Sequence, residues 1–293
     1  MHLNIFVSQK CFLYCKGCYS FSRVEKCGQI IPTEKIVSFL KYAYKNGTRK
    51  VTLCGGDPLT RKDIIDLLKK IKKIGFKISL DTVGTSIIRA IKQNGNTIIK
   101  KTSAKQLAKL VDNIGIPIDG STTEIIKLFR QSNSNILDEQ IQICEQLRKY
   151  NANICINTVV HKGNLNDACN LANLIKNLDY INQWQIFQYA PMGKYGLLNR
   201  DQFEISEADF NRYKSNVLSV IANNNIQFKT FKERNNIYMI IDNSGNAWIP
   251  IYDKKVFKDK TLKIEERKLI GNINNINDWD KICCFLKKGG DLK

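Results

Sequence analysis

The sequence predicts an α/β fold, in which parallel strands alternate with crossover helices and a small α+β cap closes the C-terminal end. Along the first two thirds of the chain, short apolar runs alternate with segments of helical period, the pattern of a parallel sheet. No internal repeat or low-complexity linker interrupts it. Beyond it, two strand-like runs around a glycine turn precede one more helix, which reads as a separate, smaller module. Residues 1–195 are therefore assigned to the α/β unit and 196–293 to the cap. At 293 residues and 43% hydrophobic content the chain is large enough for such an arrangement and its core.

Each element follows from local signals. The first strand is expected over 3–8 and feeds a loop rich in cysteine. A helix then starts at Thr33, an N-cap candidate after Pro32, with Ile36, Val37, Leu40 and Tyr44 on one face. The second strand, 50–54, ends in Gly55-Gly56-Asp57-Pro58, and Ile64, Ile65, Leu68 and Ile71 mark the next helix. Strands over 76–81 and 113–118 end at Thr82-Val83-Gly84-Thr85 and Asp119-Gly120, with helical segments following over 121–130 and 138–150. A fifth strand over 153–160, a helix over 166–178 and a sixth strand over 184–189 complete six units. Past them, 191–196 reads as a loop over the strand ends, and Ser206 caps a helix carrying Phe210, Tyr213, Val217 and Ile221. Runs at 237–241 and 247–249 flank a turn at Gly245, followed by Ile270-Gly271-Asn272-Ile273 and a helix near Trp279.

The chemistry centres on Cys11-Phe12-Leu13-Tyr14-Cys15-Lys16-Gly17-Cys18, which follows the first strand. Thiolates are soft ligands and select zinc, copper(I) or iron–sulfur clusters. A structural zinc would want a fourth donor at short spacing, and Cys27 and His2, each nine residues away, complete no familiar pattern. On a [4Fe–4S] cube, three cysteines leave one iron open to a substrate or cofactor.

The CxxxCxxC run resembles the cluster motif of the radical S-adenosylmethionine (radical SAM) enzymes. That resemblance implies a partial (β/α)6 barrel of the TIM type, with Cys11, Cys15 and Cys18 holding a [4Fe–4S] cluster whose open iron chelates S-adenosylmethionine. It further implies reductive cleavage of SAM to a 5′-deoxyadenosyl radical that takes hydrogen from a substrate. One departure stands out, because the residue before the third cysteine is usually aromatic in the family and here is Gly17; Tyr14 and Tyr19 are the candidate replacements for the adenine contact. Gly55-Gly56-Asp57 resembles the family's GGE-type segment for the SAM amino group, with Asp57 as the carboxylate acceptor. Read by themselves, the two glycines permit close backbone approach, or mark an ordinary turn into a helix at Pro58. Arg130 resembles the arginine that pairs with the SAM carboxylate, a role its bidentate fork suits. Asp81, Asp119, Asn157 and Gln188 stand at or near strand ends, where ligands of parallel α/β folds sit, and are candidates for the ribose and adenine. The C-terminal module resembles SPASM or twitch extensions but retains only Cys283 and Cys284, so it is expected to be a cap without an auxiliary cluster.

The remaining signals bound the function. Cys54, Cys144, Cys155 and Cys169 lie in apolar patterns and read as small buried hydrophobes, while Cys54, Cys155, Cys283 and Cys284 are candidate hydrogen-atom donors by likeness to radical epimerases. His161 is expected to be solvated. The net charge of +19 suits an anionic partner such as a nucleotide, an acidic peptide or a flavodoxin- or ferredoxin-type electron donor. Lysines spread without an arginine-rich, aromatic-interleaved patch argue against nucleic acid. No long apolar run and no signal-peptide pattern occur, which points to a cytoplasmic protein with reduced thiols and no membrane partner. The substrate expected is a peptide, modified as in ribosomally made peptide products. The alternatives are a viperin-like nucleotide enzyme, which Ile156-Asn157-Thr158-Val159-Val160 and Trp184-Gln185-Ile186-Phe187-Gln188 resemble, and a small-molecule biosynthetic radical SAM enzyme. A non-catalytic zinc or iron–sulfur scaffold is the reading from outside enzymology.

Overall fold

Six strands of the computed structural model pair in parallel in the order the alternation requires. The structure describes residues 2–20, 30–222, 225–234, 237–250 and 267–287, so Cys27 lies outside it. The strands are β1 (His2–Ser8), β3 (Lys50–Gly55), β4 (Lys77–Asp81), β7 (Asn113–Pro117), β9 (Ile154–Val160) and β10 (Gln183–Gln188), each hydrogen-bonded to the next. Helices α1 (Thr33–Lys45), α2 (Ile64–Ile74), α3 (Thr85–Ile88), α4 (Ala104–Leu110), α5 (Thr123–Phe129), α6 (Ile136–Arg148) and α7 (Ala168–Asn177) connect them. This is a partial α/β barrel.

Strand alternation gives the sheet two unlike faces. Leu53, Ile78, Leu80, Ile114, Ile116, Ile154 and Ile156 are wholly buried and belong to the main core. The residues between them, Asp81, Gly115, Cys155, Asn157, Gln185 and Phe187, share the inner face, since the register sets Asp81 beside Gly115, Gly115 beside Cys155 and Asn157 beside Gln185. Trp184 is buried on the outer side, where its indole N–H donates to Thr158 Oγ1 at 2.9 Å.

The C-terminal residues extend this same sheet, which the sequence patterns did not foresee. Strand β11 (Ile226–Lys229) adds in parallel to β10, and β12 (Tyr238–Ile241) adds in parallel to β1. Strands β13 (Asn246–Pro250) and β14 (Arg267–Asn272) continue it as an antiparallel pair, giving ten strands in one sheet. The Gly245 hairpin is as expected, but its first strand covers the edge of β1 that an unpaired sheet would leave open. Helix α11 (Trp279–Lys287) packs back on α1 through Trp279, 5.8 Å from the Phe39 ring.

Local signals are honoured unevenly. Ser206 caps α10 (Glu207–Val220) through a capping box with Asp209, as its pattern implies. Thr33 is not an N-cap but the first residue of α1. The stretch 191–196 is not an open loop, because α8 (Gly193–Leu198) and α9 (Arg200–Phe203) follow at once. A two-stranded hairpin, β5 (Ile91–Gln93) and β6 (Asn96–Ile99), turns at Asn94-Gly95 with both residues at positive φ. Two short strands, β2 (Tyr14–Cys15) and β8 (Arg130–Gln131), pair antiparallel above the sheet.

One buried arginine ties the chain together below the cysteine loop. Arg61, 4% exposed, donates to the carbonyls of Val7 (3.2 Å) and Ile31 (3.0 Å), to Thr33 Oγ1 (2.8 Å) and to Asp63 (2.7 Å). It therefore joins the end of β1, the start of α1 and the turn before α2. Replacing Arg61 by Met leaves those carbonyls unpaired and is expected to cost about 3 kcal/mol in urea unfolding; a loss under about 0.5 kcal/mol would show the clamp to be incidental.

Candidate active site

The cysteine loop is positioned by a backbone contact that side chains would prevent. The N–H of Gly56 donates to Ser8 O at 2.8 Å and that of Asp57 to Lys10 O at 2.6 Å. A Cβ on Gly56 would collide with Lys10 O, and one on Gly55, held at φ +116°, would lie 2.9 Å from Ser8 O. The glycine pair thus lets the end of β3 lie against the residues entering Cys11.

Asp57 corrects the expectation placed on it. Its carboxylate is fully buried and accepts from Leu59 N–H (2.9 Å), Thr82 Oγ1 (2.8 Å) and Val83 N–H (2.6 Å). Burial pushes its pKa up to about 6 despite these donors. Both oxygens are engaged, so Asp57 locks the end of β3 to the segment after β4 and is not an acceptor waiting for an ammonium group.

Cys15 is buried, and Cys11 and Cys18 are half-buried. The β2–β8 pair, with Lys16 N–H donating to Phe129 O at 2.9 Å, brings Arg130 against Cys15, where Nη1 lies 3.7 Å from Sγ. The same guanidinium forks onto Asp119 through Nε (2.5 Å) and Nη2 (3.2 Å), and Asp119 also accepts from Val159 N–H at 2.8 Å. Asp119 is therefore consumed by an internal ion pair rather than offered to a ribose. Arg130 stands beside a sulfur, where a cation favours thiolate. Burial, then the charge of Asp57, pushes the Cys11 thiol up to about 12, so loading a metal there must displace a proton.

Gly17 is explained by rings from elsewhere. A Cβ there would collide with Phe129 and lie 2.7 Å from Tyr189 Cε2. Phe129 and Tyr189 pack edge to face at 6.0 Å, with Phe203 5.1 Å from Phe129. Neither expected replacement occupies this space: Tyr14 packs on Tyr195 at 5.6 Å, and Tyr19 lies against Phe6 with its hydroxyl donating to the Cys54 sulfur. His161 is not solvated but fully buried, stacked on Phe129 at 5.0 Å, with Nδ1 accepting from Gly163 N–H at 3.1 Å. Burial holds its pKa down to about 4 and keeps it neutral.

The inner face carries a polar chain. Asn157 Nδ2 donates to Asp81 Oδ1 at 3.1 Å across Gly115, where a Cβ would lie 2.5 Å from the amide nitrogen. Gln185 Nε2 reaches the Cys155 sulfur at 3.4 Å, and Lys229 Nζ donates to Gln185 Oε1 at 2.5 Å. Burial pushes Asp81 up to about 6 and Lys229 down. Lys229 and Gly115 escaped the sequence reading, the first because β11 was not recognised. Gln188 departs from expectation: its amide bonds Ile205 O (3.2 Å) and Phe231 N–H (2.8 Å), making it a strut between segments. Cys54, Cys144 and Cys155 are buried as expected, but Cys169 is exposed, and Cys283 and Cys284 ride on α11, which packs on α1.

Three thiols on one strand-end loop, beside a guanidinium and above a polar inner face, define a barrel enzyme built around a soft-metal centre. The profile of the Radical SAM superfamily matches residues 5–175, and the chain belongs to that superfamily. Its members are enzymes that carry a [4Fe–4S] cluster and use SAM. The donor set fits: three soft thiolate formers, one already paired with a cation, and no fourth cysteine or histidine in the loop. Among the described residues no three His, Cys, Asp or Glu side chains are gathered as for one metal ion; ligands of a cube bind separate irons. The S-adenosylmethionine-dependent nucleotide dehydratase of Flammeovirga pacifica is 24% identical over 280 residues, 91% of this chain and 88% of that one. The probable GTP 3′,8-cyclase of Thermococcus kodakarensis is 28% identical over 168 residues, 57% of this chain and 50% of that enzyme. The structure of anSMEcpe with bound AdoMet and Kp18Cys peptide is similar with a TM-score of 0.66 at 17% identity, covering all of this chain and 84% of that one. No helix among the described residues is long and apolar enough to cross a membrane.

Two outcomes follow. Gly17→Phe is expected to lose most iron and sulfide after reconstitution, and adding Phe129→Ala to restore part of it, since that ring is the nearer of the two the side chain meets; a double variant no better than the single one would contradict this. Asp81 holds its proton more tightly folded, at about 6, than in an ordinary carboxyl of 3.8, so folding takes up a proton between these values and stability falls as pH rises through the window. Asp81→Asn removes that loss, and its melting temperature relative to the parent chain should rise between about pH 4 and about pH 7. A flat or falling difference would show that Asp81 is not destabilised by ionisation.

Proposed function

We propose that this enzyme removes a hydrogen atom from a nucleotide held against the inner face of the barrel and dehydrates it. The observation that carries the reading is the end-to-end likeness to a nucleotide dehydratase, over 91% of this chain and 88% of that one. The inner face supports it. Lys229 is bonded to the Gln185 amide and lies over the Phe187 ring at 5.1 Å, leaving its charge available to a phosphate, and the Arg234 guanidinium stands over the same ring.

When bound, the cluster and SAM supply reductive cleavage and hydrogen-atom abstraction. The chain's own groups do the rest. In this reading Cys11, Cys15 and Cys18 hold the cluster and Arg130 balances charge at Cys15. Gly55 and Gly56 border the SAM amino group by their backbone, Tyr19 lines the site beside Cys54, and Asp81 and Asn157 face the ribose. Residues 1–195 carry the cluster and SAM, and 196–293 cap them and contribute Lys229 and Arg234, in a cytoplasmic enzyme reduced by a flavodoxin- or ferredoxin-type donor. A peptide substrate is the second reading, supported by the fold shared with peptide-bound anSMEcpe.

Anaerobic reconstitution followed by dithionite and SAM tests this. One of CTP, UTP, GTP or ATP is expected to raise 5′-deoxyadenosine release at least about tenfold and to yield a nucleotide lighter by one water, and Lys229→Met to raise KM for that nucleotide by about tenfold. Stimulation by a peptide and by none of the four nucleotides would replace this reading with the second.

A further inference from the structure

A cavity lies between the cysteine loop, the β5–β6 hairpin and α6. It measures about 370 Å³, at the small end for ligand sites. Ile91, Ile98 and Ile99 of the β5–β6 hairpin and Ile136 and Ile143 of α6 line it, and Cys11 forms part of its wall. None of the inner-face residues Asp81, Gly115, Cys155, Asn157, Gln185 and Phe187 lines it. Ile143 meets Gly84 together with Ile116, whereas the alternate residue Gly115 faces Asp81 and Asn157.

The cavity contains one polar group that the fold leaves unused. Gln140, on α6, is 1% exposed, and neither its amide nitrogen nor its amide oxygen has a hydrogen-bond partner. Buried amides are otherwise paired in folded proteins. The Gln140 amide holds a donor and an acceptor side by side in one plane at the cavity wall, both out of contact with solvent, so a ligand that pairs with it draws the amide toward the cavity. That edge matches a flat heterocycle bearing an adjacent donor and acceptor, as glutamine matches the edge of adenine. Lys10, exposed, stands among the lining residues as a cation for a phosphate.

We propose that this cavity is a second ligand site that takes the base of a nucleoside or nucleotide, read by Gln140. It goes beyond the reaction above, because the ligand here is bound and not transformed. Since Cys11, Phe12 and Leu13 belong to the cavity wall, occupancy sets the position of the loop that carries the thiols. The site is thereby coupled to the cluster without touching the inner face.

Calorimetric titration of the reconstituted, SAM-saturated enzyme with adenosine, guanosine, cytidine, uridine and their triphosphates tests this. At least one nucleoside is expected to bind once per chain with Kd below about 1 mM, to persist in Lys229→Met, and to shift the spectrum of the reduced cluster. Gln140→Met should weaken it at least tenfold without lowering the melting temperature. Ile98→Asp, at a half-exposed position on the hairpin wall, should do the same. A triphosphate that binds more tightly than its nucleoside, with the gain lost in Lys10→Met, places the phosphate at Lys10. The proposal is overturned if no nucleoside binds, if SAM displaces it, or if both cavity variants bind as the parent does.

Discussion

The contact between Gly55-Gly56 and the residues entering Cys11 is the constraint on which the rest of the site depends. Two backbones meet there through N–H groups of one and carbonyls of the other, at 2.6 and 2.8 Å. A side chain at position 56 is excluded by Lys10 O. The loop start is thereby fixed to the sheet rather than left to sample conformations, and part of the entropy of ordering the thiol loop is met by the fold before any metal arrives. Asp57 and Arg61 extend the same logic, one pinning the segment after β4 and the other the end of β1.

The buried charges divide by how completely they are matched. Asp57 has donors on both oxygens, and Asp119 has Arg130 on both of its own, so neither has much to offer a ligand. Asp81 and Lys229 differ. Each is hydrogen-bonded to an amide and feels the other's charge only without direct contact, and burial moves each toward its neutral form. Groups left in that condition are costly to a fold that does not use them, and an anionic ligand would relieve Lys229 while leaving Asp81 in its neutral form.

Much of this was legible in the sequence because it is local. The six strands follow from runs of apolar residues, the cysteine spacing from three letters, and the Ser206 cap from a serine three residues before an aspartate. The Asn94-Gly95 hairpin was equally legible and went unread. What could not be read depends on distant partners. Nothing near position 17 says that Phe129 and Tyr189 fill the space beside it, and nothing near 238 says that this strand pairs with the first one. The direction of a carboxylate is hidden in the same way, since Asp57 at a strand end looks like a ligand until Thr82 and Val83 are seen to claim it.

The ring cluster beside Gly17 shows how a departure from a family pattern is absorbed. Phe129 ends α5, one residue before Arg130, so the element that delivers the ring also delivers the cation to Cys15. His161 stacks on the same ring and caps the turn after β9, which joins the end of that strand to the cysteine loop through one continuous aromatic contact. The space beside position 17 is filled instead by the Phe129 ring, which is wedged between Tyr189, Phe203 and His161 and held from three sides. The glycine thus moves the aromatic packing from the cysteine loop itself to the core beside it, where close packing fixes the rings that the loop rests against.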